Sequence, residues 1–186
     1  NANVTFPIEI PQGRRGMQPQ LGLNYSSDAG SSWTGLGWNI STPSITLDTR
    51  WGSPVFDLIN ETEIYLLNGQ QLIYPDEYLP NRHKMEGEFC VTNLQSRNLV
   101  GSKFFNERKL GSMSKIERLG TDPSSYYWKV TTSDGTISWY GSTGLEDEDI
   151  NLASVGGISY WPLVKTEDVY GNNIQYYYGA VEIESD

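Results

Sequence analysis

The residues whose types and spacing could do chemistry are few. The run LEDEDIN packs Glu146, Asp147, Glu148 and Asp149 into one loop. Calcium is held by a shell of carboxylate and carbonyl oxygens, so Asp147 and Asp149 are the calcium candidates. The alternating oxygen spacing and the glycine of an EF-hand loop are missing, and a solvated acidic loop is the plainer reading, with no metal. The Gly35-Leu36-Gly37 stretch could open a phosphate loop. A dinucleotide fingerprint needs a third glycine where Ile40 stands, and Pro43 blocks the helix that should follow. His83 is the chain's single histidine and lies between Arg82 and Lys84, which disfavour its protonation. Cys90, the single cysteine, lies in the alternating run GEFCVT and reads as a buried structural thiol. No nucleophile elbow G-x-S-x-G is present. These observations assign no catalytic residue and no cofactor.

Two further chemistries need no local motif. A pair of Asp/Glu carboxylates could serve glycoside hydrolysis. With 12 Tyr and 6 Trp, an extracellular β module could also bind carbohydrate by stacking, as an adhesin does. Aromatics on strands more often fill cores and cross-strand pairs. The net charge of −10, with 13 Lys and Arg spread through the chain, argues against nucleic acid. No apolar run is long enough for a spanning helix, so no membrane insertion by this segment is expected.

The elements that must position such residues are strands. VTFPIEI alternates Val4, Phe6, Ile8 and Ile10, with Pro7 marking an edge or first-strand position. PQLGLNYS alternates Leu21, Leu23 and Tyr25, and SITLDT repeats the pattern with Ile45 and Leu47. Asn68-Gly69 between two apolar runs predicts a type I′ hairpin, because both residues tolerate positive φ. Asp134-Gly135 and Gly171-Asn172 predict two more. The fold class is therefore all-β: antiparallel hairpins forming a curved sheet or a sandwich-like piece of one. Residues 92–112 show no sustained period and read as an irregular insertion with a short helix at most. The whole of 1–186 reads as a single β module. Its start at Asn1 and its acidic end VEIESD suggest a fragment of a longer chain.

Several pieces in order resemble one family. FPIEIPQGRRGMQPQLGLNYSSDAGSSWTGLGWNISTPSIT is similar to the opening signature of toxin-complex B components, Salmonella virulence plasmid B-type proteins and Rhs-related toxins. The matching positions are Ile10-Pro11, Gly13, Gly16, Pro19, Leu21, Tyr25-Ser26, Gly35, Gly37-Trp38, Ser44 and Ile45. The resemblance continues through Asn68 and Gly69, through Trp128, Asp134 and Gly135, and through Trp161, Asp168, Gly171 and Asn172. The last of these stretches is close to a tyrosine-aspartate (YD) repeat.

What the resemblance implies is structural. In the family this module begins a hollow β shell that encloses a toxic C-terminal domain, and toxic activity belongs to other regions. The chain is then a non-enzymatic segment of a secreted virulence protein, found in the bacterial cytoplasm before export. Its partners are the remainder of its own chain and an Rhs-repeat toxin subunit. Serial hairpins with bare strand edges suit a sheet that continues into neighbouring sequence. Within it, Gly35 and Gly37 are expected at positive φ or close backbone approach. Trp38 is expected to be buried against Leu21, Leu23 and Tyr25, with Trp33 nearer solvent and Ile40 beginning the next strand.

Overall fold

A computed structural model describes residues 2–32, 34–50, 52–74, 84–86, 89–91, 95–97, 102–108, 113–141, 151–154 and 156–179. Among these residues there is no α-helix, and none long and apolar enough to cross a membrane. The chain begins with β1 (Asn3–Pro7), a tight 3-10 turn (Arg14–Gly16) and β2 (Gly22–Ser26). Short strands β3 (Ser31–Ser32), β4 (Gly35–Leu36) and β5 (Trp38–Ile40) precede β6 (Ser44–Leu47). Then come β7 (Asn60–Glu61), β8 (Tyr65–Leu67) and β9 (Gln70–Ile73). The next four are β10 (Lys84–Glu86), β11 (Phe89–Val91), β12 (Gln95–Ser96) and β13 (Lys103–Glu107). The last six are β14 (Lys115–Leu119), β15 (Tyr127–Thr131), β16 (Ile137–Tyr140), β17 (Leu152–Ser154), β18 (Gly157–Glu167) and β19 (Asn173–Gln175).

Eight of these strands close into a ring. The order β16, β15, β14, β13, β9, β8, β6, β18 returns to β16, and every pairing is antiparallel. Closure depends on β18, whose 11 residues hold β6 at Tyr160–Pro162 and β16 at Leu163–Glu167. The curved sheet expected from the sequence is thus a barrel-like one. Its edges are satisfied within the ring rather than left bare. Strands β17 and β19 add to β18 outside the ring, and β1, β2 and β5 form a separate three-stranded sheet. There β1 takes the edge, one of the two positions that Pro7 suggests.

The core follows from the register. Residues opposite each other on antiparallel strands point to the same face. One inward row runs Trp161, Ile45, Leu67, and a second runs Phe105, Ile116, Val130. A third runs Arg118, Trp128, Tyr140, Leu163. All ten are buried, and Arg118 is the one charge among them. Trp128 is ringed by Tyr65 (4.8 Å), Phe105 (5.2 Å) and Trp161 (5.9 Å), in tilted or edge-on contacts.

The three hairpins have the turn chemistry that their residues demand. Asn68 (φ 49°) and Gly69 (φ 78°) are both left-handed between β8 and β9, as a type I′ turn requires. Gly135 (φ 84°) and Gly171 (φ 80°) each end a turn closed by a backbone bond, Gly135 N to Thr132 O and Gly171 N to Asp168 O.

The structure corrects two sequence expectations. Residues 103–107, read as part of an irregular insertion with a short helix, form a stave of the barrel, paired with β9 and β14. Phe105 is buried there while Phe104 is 40% exposed, the alternation of a strand. The adjacent phenylalanines hid that period, because a pair of like residues carries no phase. Trp38 is half-buried rather than buried, and it begins β5, which Ile40 ends. It meets Tyr25 at 5.0 Å and Phe6 at 6.1 Å and, among the described residues, does not belong to the barrel core.

Phe105→Ala should lower unfolding stability by about 3–5 kcal/mol in urea denaturation, the usual cost of an emptied aromatic site. Phe104→Ala should cost less than about 1 kcal/mol, as a surface change does. Equal costs would contradict the stave. At Gly37 (φ 78°) an added Cβ would meet Tyr25 Cε2 at 2.7 Å and Ser26 O at 2.9 Å. Gly37→Ala should therefore destabilise by more than about 1 kcal/mol in the same assay.

Candidate functional site

The densest polar chemistry lies inside the fold. Strand β7 pairs with β12 as a two-stranded ribbon outside the ring, with Glu61 opposite Gln95. From Glu61 the extended chain buries every second residue: Glu61, Glu63, Tyr65 and Leu67. Two carboxylates thereby enter the same interior as the aromatic core. Arg97, just after β12, and Arg118, on β14, are buried to meet them.

The geometry is a nearly saturated network. Arg118 grips Glu61 with two nitrogens, Nη1 to Oε1 at 2.6 Å and Nη2 to Oε2 at 3.1 Å. Glu61 Oε1 also accepts from Tyr65 OH at 2.7 Å and Arg97 Nη1 at 3.2 Å. Lys103 Nζ lies 3.4 Å from Glu61 Oε2. Arg97 Nη2 donates to Glu63 Oε2 at 2.6 Å, and Arg97 Nε to the Asp57 carbonyl at 2.6 Å. Glu63 Oε1 accepts from the Phe56 backbone N–H (2.9 Å) and the Thr62 hydroxyl (2.7 Å). The Arg118 guanidinium also stacks 3.9 Å from the Tyr126 ring centre.

Burial alone would raise the Glu61 carboxyl. The Arg118 hydrogen bond and charge, then the Tyr65 hydroxyl and the Arg97 charge, outweigh it and hold the group at about 2. For Arg118, burial works to lower the pKa. The Tyr65 and Glu61 interactions more than offset it, and Arg118 is raised above its ordinary value. Burial lowers Lys103, with Glu61 opposing. Glu61 and Arg118 therefore stay charged at neutral pH. Glu61 and Glu63 side chains are 0% and 1% exposed, so both carboxylates are shielded from solvent. A carboxyl held at about 2 also cannot serve as the protonated acid that glycoside hydrolysis needs.

The residues singled out from sequence do not converge on this network. Trp128 and Trp161 meet in the core beside it, and Trp161 Nε1 donates to the Tyr126 carbonyl at 2.6 Å. Tyr25, Gly37 and Trp38 meet on the three-stranded sheet. Gly35 (φ 115°) lies in the β3–β4 ribbon. Gly13 and Gly16 bracket the 3-10 turn, and Pro19 is half-buried beyond it. Asn68, Gly69, Asp134, Gly135, Asp168, Gly171 and Asn172 are spread over three turns. Asp134 and Asp168 each cap their own turn, Asp134 Oδ1 accepting from Thr136 N and Asp168 Oδ1 from Asn172 N. The calcium candidates Asp147 and Asp149, His83 and Trp33 lie outside the described residues, as does the Cys90 side chain.

Sequence reasoning missed Glu61, Glu63, Arg97 and Arg118. The available signal was the phase of alternation, since Leu67 and Tyr65 inward force Glu63 and Glu61 inward as well. For Arg118 it was the place two residues after Ile116.

Comparison with known proteins gives this geometry relatives. The family model of SpvB, the Salmonella virulence plasmid 65kDa B protein, matches residues 1–185. The mono(ADP-ribosyl)transferase SpvB of Salmonella choleraesuis (strain SC-B67) is 39% identical over 184 residues, and that of Salmonella typhimurium 27%. In both cases the match covers 96% of this chain and 30% of the relative, so the chain spans under a third of their length. The solved N-terminal domain of effector protein SpvB from Salmonella typhimurium strain LT2 superposes with a TM-score of 0.68 at 21% identity. That superposition covers 95% of this chain and 55% of the other. The crystal structure of TcdB2-TccC3-Cdc42 gives 0.69 at 22% identity, over 97% of this chain and 8% of that one. The same fold therefore recurs in a toxin complex, and by its sequence the chain belongs to the family of the Salmonella virulence plasmid 65kDa B protein, SpvB.

Proposed function

We propose that this chain is a non-enzymatic wall segment of a β shell. The shell belongs to a secreted virulence protein and encloses a toxic domain supplied from elsewhere in the protein or by an Rhs-repeat partner subunit. The observation that carries this reading is the occupancy of the buried carboxylates. Each oxygen of Glu61 and Glu63 accepts an internal donor, so the polar cluster serves cohesion rather than turnover. The recurrence of the fold within TcdB2-TccC3 supports the shell context. The transferase activity for which SpvB is named is assigned, on this reading, to the part of those relatives that this chain does not match.

Incubated with labelled NAD and candidate acceptor proteins, the purified chain should neither transfer nor hydrolyse it. Turnover above the buffer control would refute the non-enzymatic reading. In the protein that carries this segment, deleting residues 1–186 should speed protease cleavage of the toxic part. An unchanged cleavage rate would remove the enclosing role.

A cohesive role for the network also predicts a pH dependence. The folded-state pKa of Glu61 lies below its unfolded value, 4.5 against about 2. Its contribution is present above about pH 4.5 and disappears as pH falls towards 2. The whole contribution is about 3 kcal/mol, and most of it should be lost between pH 6 and 2.5, read from urea midpoints. Glu61→Gln should flatten that acid limb, and it should also destabilise at neutral pH by leaving Arg118 without its countercharge.

A further inference from the structure

The three-stranded sheet carries an unfinished core. Val4, Tyr25 and Trp38 stand in one cross-strand row, and Phe6, Leu23 and Ile40 in the next. All six therefore point to one face. None of them belongs to the buried core, and Val4 and Phe6 are 45% and 53% exposed. The opposite face is complete. It is polar and uncharged, with Thr5 Oγ1 donating to Asn24 Oδ1 at 2.8 Å and Asn24 Nδ2 to Ser41 Oγ at 2.9 Å. A polar face bonded to itself belongs in water, whereas a row of Phe, Tyr and Trp that the described residues leave exposed or only half-buried does not. Covering the apolar face of such a sheet removes that area from water and adds to its stability.

The chemistry of the face selects its cover. It carries no charge, so nothing on it pairs with an acidic or basic partner. A second copy would have to bring another net charge of −10 against the first, which self-repulsion opposes. The solved SpvB N-terminal domain, just over half of which is matched by this chain, contains nearly as much polypeptide again. We infer that the Val4, Phe6, Leu23, Tyr25, Trp38, Ile40 face is the seat of another segment of the same polypeptide, lying outside these 186 residues. That segment presents its own aliphatic or aromatic side chains and completes a second, smaller core. The inference rests on reading the chain as one part of a larger wall.

The test uses the full-length protein with the photo-reactive p-benzoylphenylalanine in place of Phe6. This is a conservative change at an exposed aromatic. The same probe at Val4 provides a second reporter should the first variant fail to fold, and at Asn39, on the polar face, it gives the background. After irradiation, peptide mass spectrometry should find the Phe6 or Val4 probe joined within the same molecule to residues outside 1–186, at monomer mass and several-fold above the Asn39 yield. Adducts at dimer mass, adducts to a separate subunit, adducts confined to 1–186, or a yield equal to that at Asn39 would each overturn the inference. Failure of the shell reading is read separately, as unchanged protease sensitivity of the toxic part. In that case an intramolecular adduct would still stand.

Discussion

The structure depends on one buried ion pair, Arg118 with Glu61. Arg118 belongs to a stave of the barrel and Glu61 to a ribbon outside the ring, so their two-pronged contact fixes one to the other. Taking both charges out of water costs several kcal/mol each, and Coulomb attraction offsets that only if every donor and acceptor is satisfied. The surroundings supply this. Tyr65 donates to the carboxylate and accepts from Arg118, and the Tyr126 ring covers the guanidinium. Such a pair gives little net stability over a hydrophobic filling. It makes alternatives expensive, because a slip of one residue in β14 would turn Arg118 outward and leave Glu61 alone.

Arg97 extends the constraint to the loop before β7. Its Nε binds the Asp57 carbonyl and its backbone N–H the Ile59 carbonyl, while Glu63 holds the Phe56 amide. Phe56 takes a left-handed φ of 54°, a cost that a bulky residue bears only where its surroundings hold it. Its ring fills the space beside Gly157, where a Cβ would lie 2.4 Å from Phe56 Cδ1. The ribbon, the loop and the start of β18 are thus tied through one charged cluster.

Much of the fold was legible from the sequence because turn chemistry is local. Asn68-Gly69 needs no partner to declare a type I′ turn, and Pro7 alone marks an edge or first strand. The stave 103–107 was not legible, since Phe104 and Phe105 stand side by side and only the neighbours decide which faces inward. Closure of the ring was hidden for a related reason. Nothing local in β18 says that one strand will hold both β6 and β16. The charged network was half visible. The alternation that buries Tyr65 and Leu67 also buries Glu61 and Glu63, but hydrophobic patterning reads a glutamate as an outward residue. Only the distant Arg97 and Arg118 make its burial affordable.

Closure changes how such a module can add a neighbour. A bare-edged sheet would grow by adding strands, each new one hydrogen-bonded to the last. The ring offers no edge of that kind, since its first and last strands are bonded to each other. What the ring itself presents to a neighbour is then a sheet face, while free edges lie outside it, as at β1. Among the described residues one sheet face, beside Phe6 and Trp38, is partly exposed. Burial across faces is set by shape and apolar area and tolerates sequence change, whereas strand addition demands register. A fold held this way can persist while its sequence drifts, in keeping with TM-scores near 0.7 at little more than 20% identity.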